Sequence, residues 1–310
     1  MSVLLKSDLP FPLYRQGKVR DVYKLNDKLL IVCTDRISAF DLVLPCGIPE
    51  KGQVLNQISA FWFDKTSFII PNHVIETIDS LDAMSSYTTS ELPDYLVGRS
   101  MIVANATSIP VECVVRGYLS GSAWAEYNEK GTINGVVMPA GMKESEMLPE
   151  PLFTPTTKED EGHDLPLLAH DIYKLEAMLT GTSWSASKLM QELEEKSLQL
   201  YRFARDFARS KNIIIADTKF EFGFVNNQLV LIDEALTPDS SRFWSVEQYE
   251  VGHSQPSFDK QPVRDWLSAS GWNKEPPAPI LTQEVIEATS QKYKEIYRLF
   301  TGKNLNNSVY

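Results

Sequence analysis

The segment IIIADTKFEFGF, residues 213–224, leaves this chain few ways to fold. It opens as an apolar run of the kind a buried strand needs, then alternates strictly between charged and aromatic residues. In a strand, side chains at i, i+2 and i+4 share a face. Phe220, Phe222 and Phe224 therefore line a core face, and Asp217, Lys219 and Glu221 line the opposite one. Asn226-Asn227 signals a turn, after which residues 229–232 return as an apolar strand ending in Asp233-Glu234. A two-residue loop would set Asp233 opposite Phe220, on the wrong face. A three-residue loop through Gln228 would set it opposite Glu221. Facing carboxylates repel unless a cation lies between them, and Mg²⁺ typically takes one or two carboxylates together with phosphate oxygens. On an isolated strand such a charged face can simply be solvated. With the returning strand, the expectation is a metal site at Glu221 and Asp233, with Lys219 beside it for an anion.

Charge narrows the partners. The 310 residues carry 41 Asp+Glu against 30 Lys+Arg, a net charge of −11. No basic field exists to hold a polyanion, so neither nucleic acid nor an anionic membrane surface is expected as a partner. Phosphate groups would have to be met by a few local cations. Three such spots stand out. YRQGKVR places Gly17, Lys18 and Arg20 at a turn before a strand, where backbone N–H groups and two cations can reach phosphates; a solvated basic loop is the competing reading. VECVVRGYLSGS carries Glu112, Arg116, Ser120 and Ser122, an arginine fork followed by a hydroxyl-rich turn, with an ordinary helix cap near residues 123–124 as the alternative. DSSR, residues 239–242, repeats hydroxyls plus one arginine at Arg242. In TDRISAFD, Asp35, Ser38 and Asp41 read either as caps and ion-pair partners or as the lining of a cleft.

Other patterns fill in the frame. Cys33, Cys46 and Cys113 are odd in number and follow no CxxC spacing, so buried, reduced thiols in a cytoplasmic protein are expected. The longest apolar runs are strand-sized, far short of the ~20 residues of a membrane span. The N-terminus has no signal-peptide apolar stretch, and the four histidines show no zinc-type spacing. Residues 19–24 and 28–34 read as a hairpin around Leu25-Asn26-Asp27. Helices are expected over residues 56–68, 187–210 and 282–300, the last with Thr282 as N-cap. Residues 131–161 read as a long surface loop. Gly-rich βαβ units are absent, which argues against a Rossmann domain. The architecture is α+β: a β-rich nucleotide-binding lobe over residues 1–110, an α+β substrate and metal lobe over 111–250, and a helical extension over 251–310 packed on the second lobe.

These segments, in this order, resemble the SAICAR synthetase family in its longer, fungal-like form. The matching stretches are GKVRDVY, TDRISAFD, KGQVLNQIS, VECVVRGYLSGSAW, FTPTTK, IIIADTKFEFG and LIDEALTPDSSRFW. The resemblance implies a two-lobed ATP-binding fold related to protein kinases and ATP-grasp proteins. It implies ATP-dependent joining of L-aspartate to a carboxyaminoimidazole ribonucleotide. Under it, Gly17, Lys18, Arg20, Glu112 and Lys158 bind ATP, and Glu221 and Asp233 hold Mg²⁺. Asp217 and Lys219 hold the imidazole's amino group and carboxylate and are the catalytic candidates. Arg116, Ser122 and Arg242 contact the nucleotide, chiefly its phosphate, and Asp35, Ser38 and Ser120 join the substrate set. Lys158 and Asp164 belong to a closing loop. The resemblance further implies that bacterial members lack much of the tail after about residue 250.

Amide formation from a carboxylate needs activation, and an acyl phosphate is the expected route. Closure would keep water from that intermediate, and Lys18, Arg20, Lys219 and Mg²⁺ would spread the developing charge. The base for the aspartate amine is open between the leaving phosphate and a carboxylate such as Asp217. The main alternative is a kinase-like small-molecule phosphotransferase, which needs the same parts but no aspartate. A nucleotide-binding protein without catalysis is disfavoured because every charged position the chemistry needs is present. A monomer is expected, with a homo-oligomer as the alternative.

Overall fold

The computed structural model describes residues 3–40, 42–158, 167, 171–258 and 260–305. Asp41 and Asp164 lie outside that set. The chain begins with strands β1 (Leu13–Gln16), β2 (Arg20–Leu25), β3 (Lys28–Cys33), β4 (Arg36–Ala39) and β5 (Leu42–Gly47), then helix α1 (Lys51–Thr66) and strands β6 (Val74–Thr77) and β7 (Ser100–Ala104). There follow β8 (Thr107–Ser108), β9 (Val111–Tyr118), α2 (Gly121–Lys130), β10 (Thr132–Ile133), β11 (Val136–Val137), β12 (Met147–Phe153) and β13 (Thr156–Thr157). The rest comprises α3 (Asp171–Met178), α4 (Ala186–Arg209), β14 (Ile213–Val225), β15 (Gln228–Ile232), β16 (Ser241–Ser245), α5 (Gln261–Ala269) and α6 (Gln283–Thr301).

Two antiparallel sheets organise these elements. The first has the order β1-β2-β3-β7-β6. Its β2–β3 hairpin closes through Asn26-Asp27, with Asn26 at φ 57° supplying the left-handed residue that a tight turn requires. The second sheet runs β12-β9-β14-β15, with β13 on β9 and with β8 and β16 on β14. Residues 71–73 stitch the two together. The Leu231 N–H donates to the Pro71 carbonyl (2.9 Å), and the His73 N–H donates to the Leu231 carbonyl (3.1 Å).

The thirteen-residue strand β14 is the spine, and its core face changes parity along its length. Ile213 and Ile215 point into the main core, whereas Ile214 and Ala216 pack with Tyr118 and Trp244 on the other side. Further along, the even residues Phe220 and Phe222 occupy the main core. A register irregularity against β16 between Ile215 and Asp217 accounts for the switch. A bulge adds a residue to one strand and re-aims the side chains after it. Here it takes Asp217 off the core-facing parity of Ile213 and Ile215 and puts it on the same face as Lys219 and Glu221.

Helix α4 covers this spine. Ser185 caps its start by accepting from the Lys188 N–H (3.3 Å). The buried Tyr201 donates its hydroxyl to the Ile215 carbonyl (2.7 Å). A Cβ at Gly117 would overlap that hydroxyl, so the close approach of α4 to β9 requires glycine there. Gly117→Ala is expected to cost about 1–3 kcal/mol through overpacking, read from urea or thermal unfolding. Adding Tyr201→Phe should recover part of the loss. An unchanged midpoint in the single variant would show that helix and strand separate freely.

The main core runs from Ile31 through Trp62, Phe220 and Phe243 to Phe300, so it draws on residues from all three sequence segments. The C-terminal segment is not confined to the second lobe but packs on residues 1–110 as well, with Phe300 against both Trp62 and Phe243. Helix α6 lies against α1 and α5, and Val263, Leu267 and Leu281 pack on Ile37, Ala39 and Leu44 of the β4–β5 hairpin. Thr282 occupies the N-cap position of α6 but makes no side-chain capping bond. Residues 131–158 are not a structureless loop, since β10 to β13 lie within them. Met147 to Phe153 is recruited as an edge strand on β9 despite two prolines, which an edge tolerates. Cys33 and Cys113 are buried, Cys46 is half-buried, and all three are free thiols. No described helix is long and apolar enough to cross a membrane.

Candidate active site

The charged face of β14 opens between the two sheets, and its register decides which groups meet. β9 and β14 pair from Asp217 opposite Arg116 to Phe220 opposite Cys113. Continued by one step, that register sets Glu221 across from Glu112. Lys219 lies between these buried carboxylates, donating to Glu112 Oε1 and to Glu221 Oε1 (3.1 Å), while Lys158 donates to Glu221 Oε2. Burial alone would lower the Lys219 pKa, but Glu221, Glu112 and Asp233 outweigh it and hold the ammonium well above its usual range. Lys219 is therefore a fixed positive charge at every working pH.

Asp233 arrives by a different route from the one read in the sequence. The β14–β15 loop has two residues, with Val225 paired to Gln228 and Glu221 paired to Ile232. Asn226 and Asn227 have φ of 49° and 63°, the double left-handed geometry of a type I′ hairpin turn. The three-residue loop is thus corrected, and a continued ladder would have put Asp233 opposite Phe220. The strand stops at Ile232 instead, and Asp233 takes φ 68°. That left-handed residue swings its carboxylate out of the ladder and into contact with Arg20 of the first sheet (2.7 Å). Burial would raise the Asp233 carboxyl, but Arg20, Lys158 and Lys219 together hold it below its usual value. Its neighbour Glu234, which also accepts from Arg20 (3.4 Å), is pushed upward chiefly by burial.

At the other end of the face, Arg116 and Arg242 share one carboxylate. Asp217 accepts from Arg242 and lies 3.5 Å from Arg116. Arg116 also donates to Thr154 Oγ1 (3.0 Å) and Ser122 Oγ (3.2 Å). Helix α2 starts at Gly121 with Ser120 at its N-cap, so Ser122 is not the cap. Gly121 sits at φ 57°, and a Cβ there would come 2.6 Å from the Arg242 guanidinium. The Ser120 hydroxyl is buried with no hydrogen-bond partner among the described residues. Two guanidinium groups, a helix start and an unsatisfied hydroxyl form an anion-binding arrangement.

The glycine loop is built from beneath by a residue the sequence did not flag. Arg36 donates to the carbonyls of Gly17 (3.0 Å), Lys18 (3.1 Å) and Leu5 (2.7 Å), and pairs with Asp21 (2.8 Å). Gly17 and Lys18 are exposed, and the Gly17 N–H turns back to the Arg20 carbonyl (2.7 Å). Asp35, by contrast, does not face the cleft. Its carboxylate is fully buried, accepts from Leu4 N–H (2.8 Å) and Gly52 N–H (2.9 Å), and is ion-paired with Arg99 at 3.1 Å, so it ties α1 to the N-terminal segment. Ser38 is half-buried on β4, pairing with Val43.

A cavity of about 100 Å³ adjoins Lys158, lined by Pro110, Val111, Thr157, Leu167 and Leu175 among others. Behind the carboxylates, His73 is buried against Phe63. Burial, then Arg20, push its pKa down to about 3, so it is neutral. Glu221 and Asp233 offer hard oxygen donors. Among the described residues no set of three or more His, Cys, Asp or Glu is grouped for a metal.

The chain is similar to known proteins over nearly its whole length. Residues 13–279 match the family model described as SAICAR synthetase. The phosphoribosylaminoimidazole-succinocarboxamide synthase of Thermodesulfovibrio yellowstonii is 49% identical over 305 residues, covering 97% of this chain and 99% of that protein. The Maridesulfovibrio salexigens protein of the same name is 48% identical over 298 residues, 95% of each chain. Among solved structures, the SAICAR synthase of Saccharomyces cerevisiae complexed with SAICAR superposes with a TM-score of 0.82 at 40% identity, over 97% of this chain and 99% of that one. A type-2 SAICAR synthetase in complex with ADP gives 0.66 at 25% identity, over 94% and 98%. The bacterial relatives extend through the C-terminal segment, which corrects the expectation that bacterial members lack the tail after residue 250.

Proposed function

The chain belongs to the SAICAR synthetase family, and from that premise we propose how its cleft divides the work. The protein is an ATP-dependent carboxylate–amine ligase. It joins L-aspartate to the carboxylate of 5-amino-1-(5-phosphoribosyl)imidazole-4-carboxylate in purine biosynthesis, with release of ADP and phosphate. A phosphotransferase that ignores aspartate is not favoured.

The observation that carries the assignment of roles is the continuous line of charge along β9 and β14. Arg116, Asp217 and Arg242 lie at one end, and Glu112, Lys219, Glu221 and Lys158 lie at the other. The ribonucleotide phosphate would sit at the arginine end with Ser120 and Ser122. Its ring would lie over Asp217 and Lys219, placing the carboxylate beside Lys219. ATP would enter from the Lys158 side, its base in the cavity by Val111 and its phosphates under Gly17, Lys18 and Arg20. Mg²⁺, if held by Glu221 and Asp233, would supply further neutralisation of phosphate oxygens.

On this reading, the substrate carboxylate attacks the γ-phosphate. ADP leaves, and the aspartate amine displaces phosphate from the acyl carbon. The protein forms no covalent bond. Lys219 orients the carboxylate toward ATP and offsets the charge that develops between them, a preorganised electrostatic contribution. Asp217, fixed by two arginines, aligns the ring. Residues 1–110 and 111–250 would act as lobes closing on the substrates, with 251–310 fixed to both. Three free thiols support a cytoplasmic setting.

The test is to follow ADP from MgATP and the carboxyaminoimidazole ribonucleotide with and without L-aspartate. ADP formation that requires aspartate is expected. Full-rate formation without it would overturn the ligase.

A further inference from the structure

Helix α6 reaches the cleft through one carboxylate that no part of the mechanism uses. Asp239 lies in the turn between β15 and β16, and both of its oxygens are occupied from other elements. Lys51, fully buried at the start of α1, donates to Oδ2 (2.6 Å), and Tyr293 of α6 donates its hydroxyl to Oδ1 (2.6 Å). The Lys51 ammonium also lies 5.6 Å from the Tyr293 ring centroid, a distance suited to a cation–π contact. Burial would raise the Asp239 carboxyl, but Lys51 and Lys260 hold it far below its usual value.

Two short relays run from that anchor into the site. The Asp239 N–H donates to Thr237 Oγ1 (3.2 Å), which itself donates to Glu234 Oε2 (2.6 Å). Glu234 then shares Arg20 with Asp233. On the other side, the Ser240 carbonyl accepts from the Lys219 N–H (2.9 Å), and the Ser241 hydroxyl bonds Thr218 Oγ1 (2.8 Å), one residue before Arg242. The turn therefore sets Arg20 and Asp233 at its entry and Arg242 at its exit.

A buried ion pair is weak evidence for stability, because well-packed apolar groups of the same volume often do as well. What it fixes strongly is geometry. We propose that Tyr293 and Lys51 are positioning residues for the ligation, holding Asp239 so that the 234–242 segment presents Arg20 with Asp233 to ATP and Arg242 to the ribonucleotide phosphate. The C-terminal helix is then part of the apparatus that sets substrate affinity. The inference rests on the assignment of those groups above.

The test is Tyr293→Phe in the full-length enzyme, which keeps the ring and its packing and removes one hydrogen bond to a charged acceptor. KM for ATP and for the ribonucleotide should rise about tenfold, with kcat within about threefold and the unfolding midpoint nearly unchanged. A second variant guards against misfolding. Lys51→Met strands a buried carboxylate and should lower the midpoint, and Lys51→Met with Asp239→Asn should restore the midpoint without restoring KM. Wild-type KM values in Tyr293→Phe, or KM values that recover with the midpoint in the double variant, would overturn the proposal. Failure of the ligase reading is separate, since it would appear as aspartate-independent ADP in the unaltered enzyme.

Discussion

Asp233→Asn is expected to lower kcat by on the order of 10²–10³-fold or more, the scale seen when one preorganised electrostatic group is lost from a reaction site. The substitution is nearly isosteric. Asn tolerates the left-handed backbone that Asp233 adopts at φ 68°, so the end of β15 should keep its course. The amide can still accept from Arg20, which also retains Glu234 at 3.4 Å. Loss of the charge should cost stability no more than about 1.5–3 kcal/mol, the worth of a hydrogen bond to a charged group, a fall of several degrees in Tm. The missing charge is what a divalent cation and its phosphates would need. A higher Mg²⁺ requirement measured by titration should accompany the lost turnover. Near-wild-type rates at ordinary Mg²⁺ would remove Asp233 from the metal assignment, whatever became of the fold.

That residue also shows where the sequence stopped being readable. The alternation at residues 217–224 gave the charged and aromatic faces correctly, because a period of two is a property of the strand alone. The position of Asp233 depends on two local conformations, the I′ turn at Asn226-Asn227 and the left-handed residue after Ile232. Neither alters the composition, so the sequence leaves the two- and three-residue loops both open. The ladder ends at Ile232, and Asp233 meets Arg20 rather than taking a register position opposite Glu221. The carboxylate that faces Glu221 across the sheet is Glu112, and the cation between them is Lys219. The bulge between Ile215 and Asp217 was equally silent, since each side of it reads as an uninterrupted strand. Groups joined over long separations left no pattern at all. Arg36 beneath the glycine loop touches residues 15 to 31 positions away, and Lys51 meets Asp239 across 188.

Lys219→Met should be the most damaging single change on the charged face, because it removes both the charge proposed to meet the substrate carboxylate and a structural one. With the ammonium gone, Glu112 and Glu221 face each other while buried, and among the described residues Lys158 is the cation left paired with Glu221. Breaking a buried pair by deleting one partner typically costs about 3–5 kcal/mol, so Tm should fall sharply and turnover should vanish. The two losses can be separated. Glu112→Gln added to Lys219→Met removes one of the stranded charges and should recover much of the midpoint, a non-additive pair of the kind expected for groups in contact. It returns nothing at the place where the substrate carboxylate must approach ATP, so ADP formation in the presence of L-aspartate should stay at background. A double variant that regained both stability and turnover would mean that Lys219 serves only to keep two acidic side chains apart. A double variant that regained only stability, beside a Glu112→Gln single variant that kept turnover, would leave its charge where the reaction needs it.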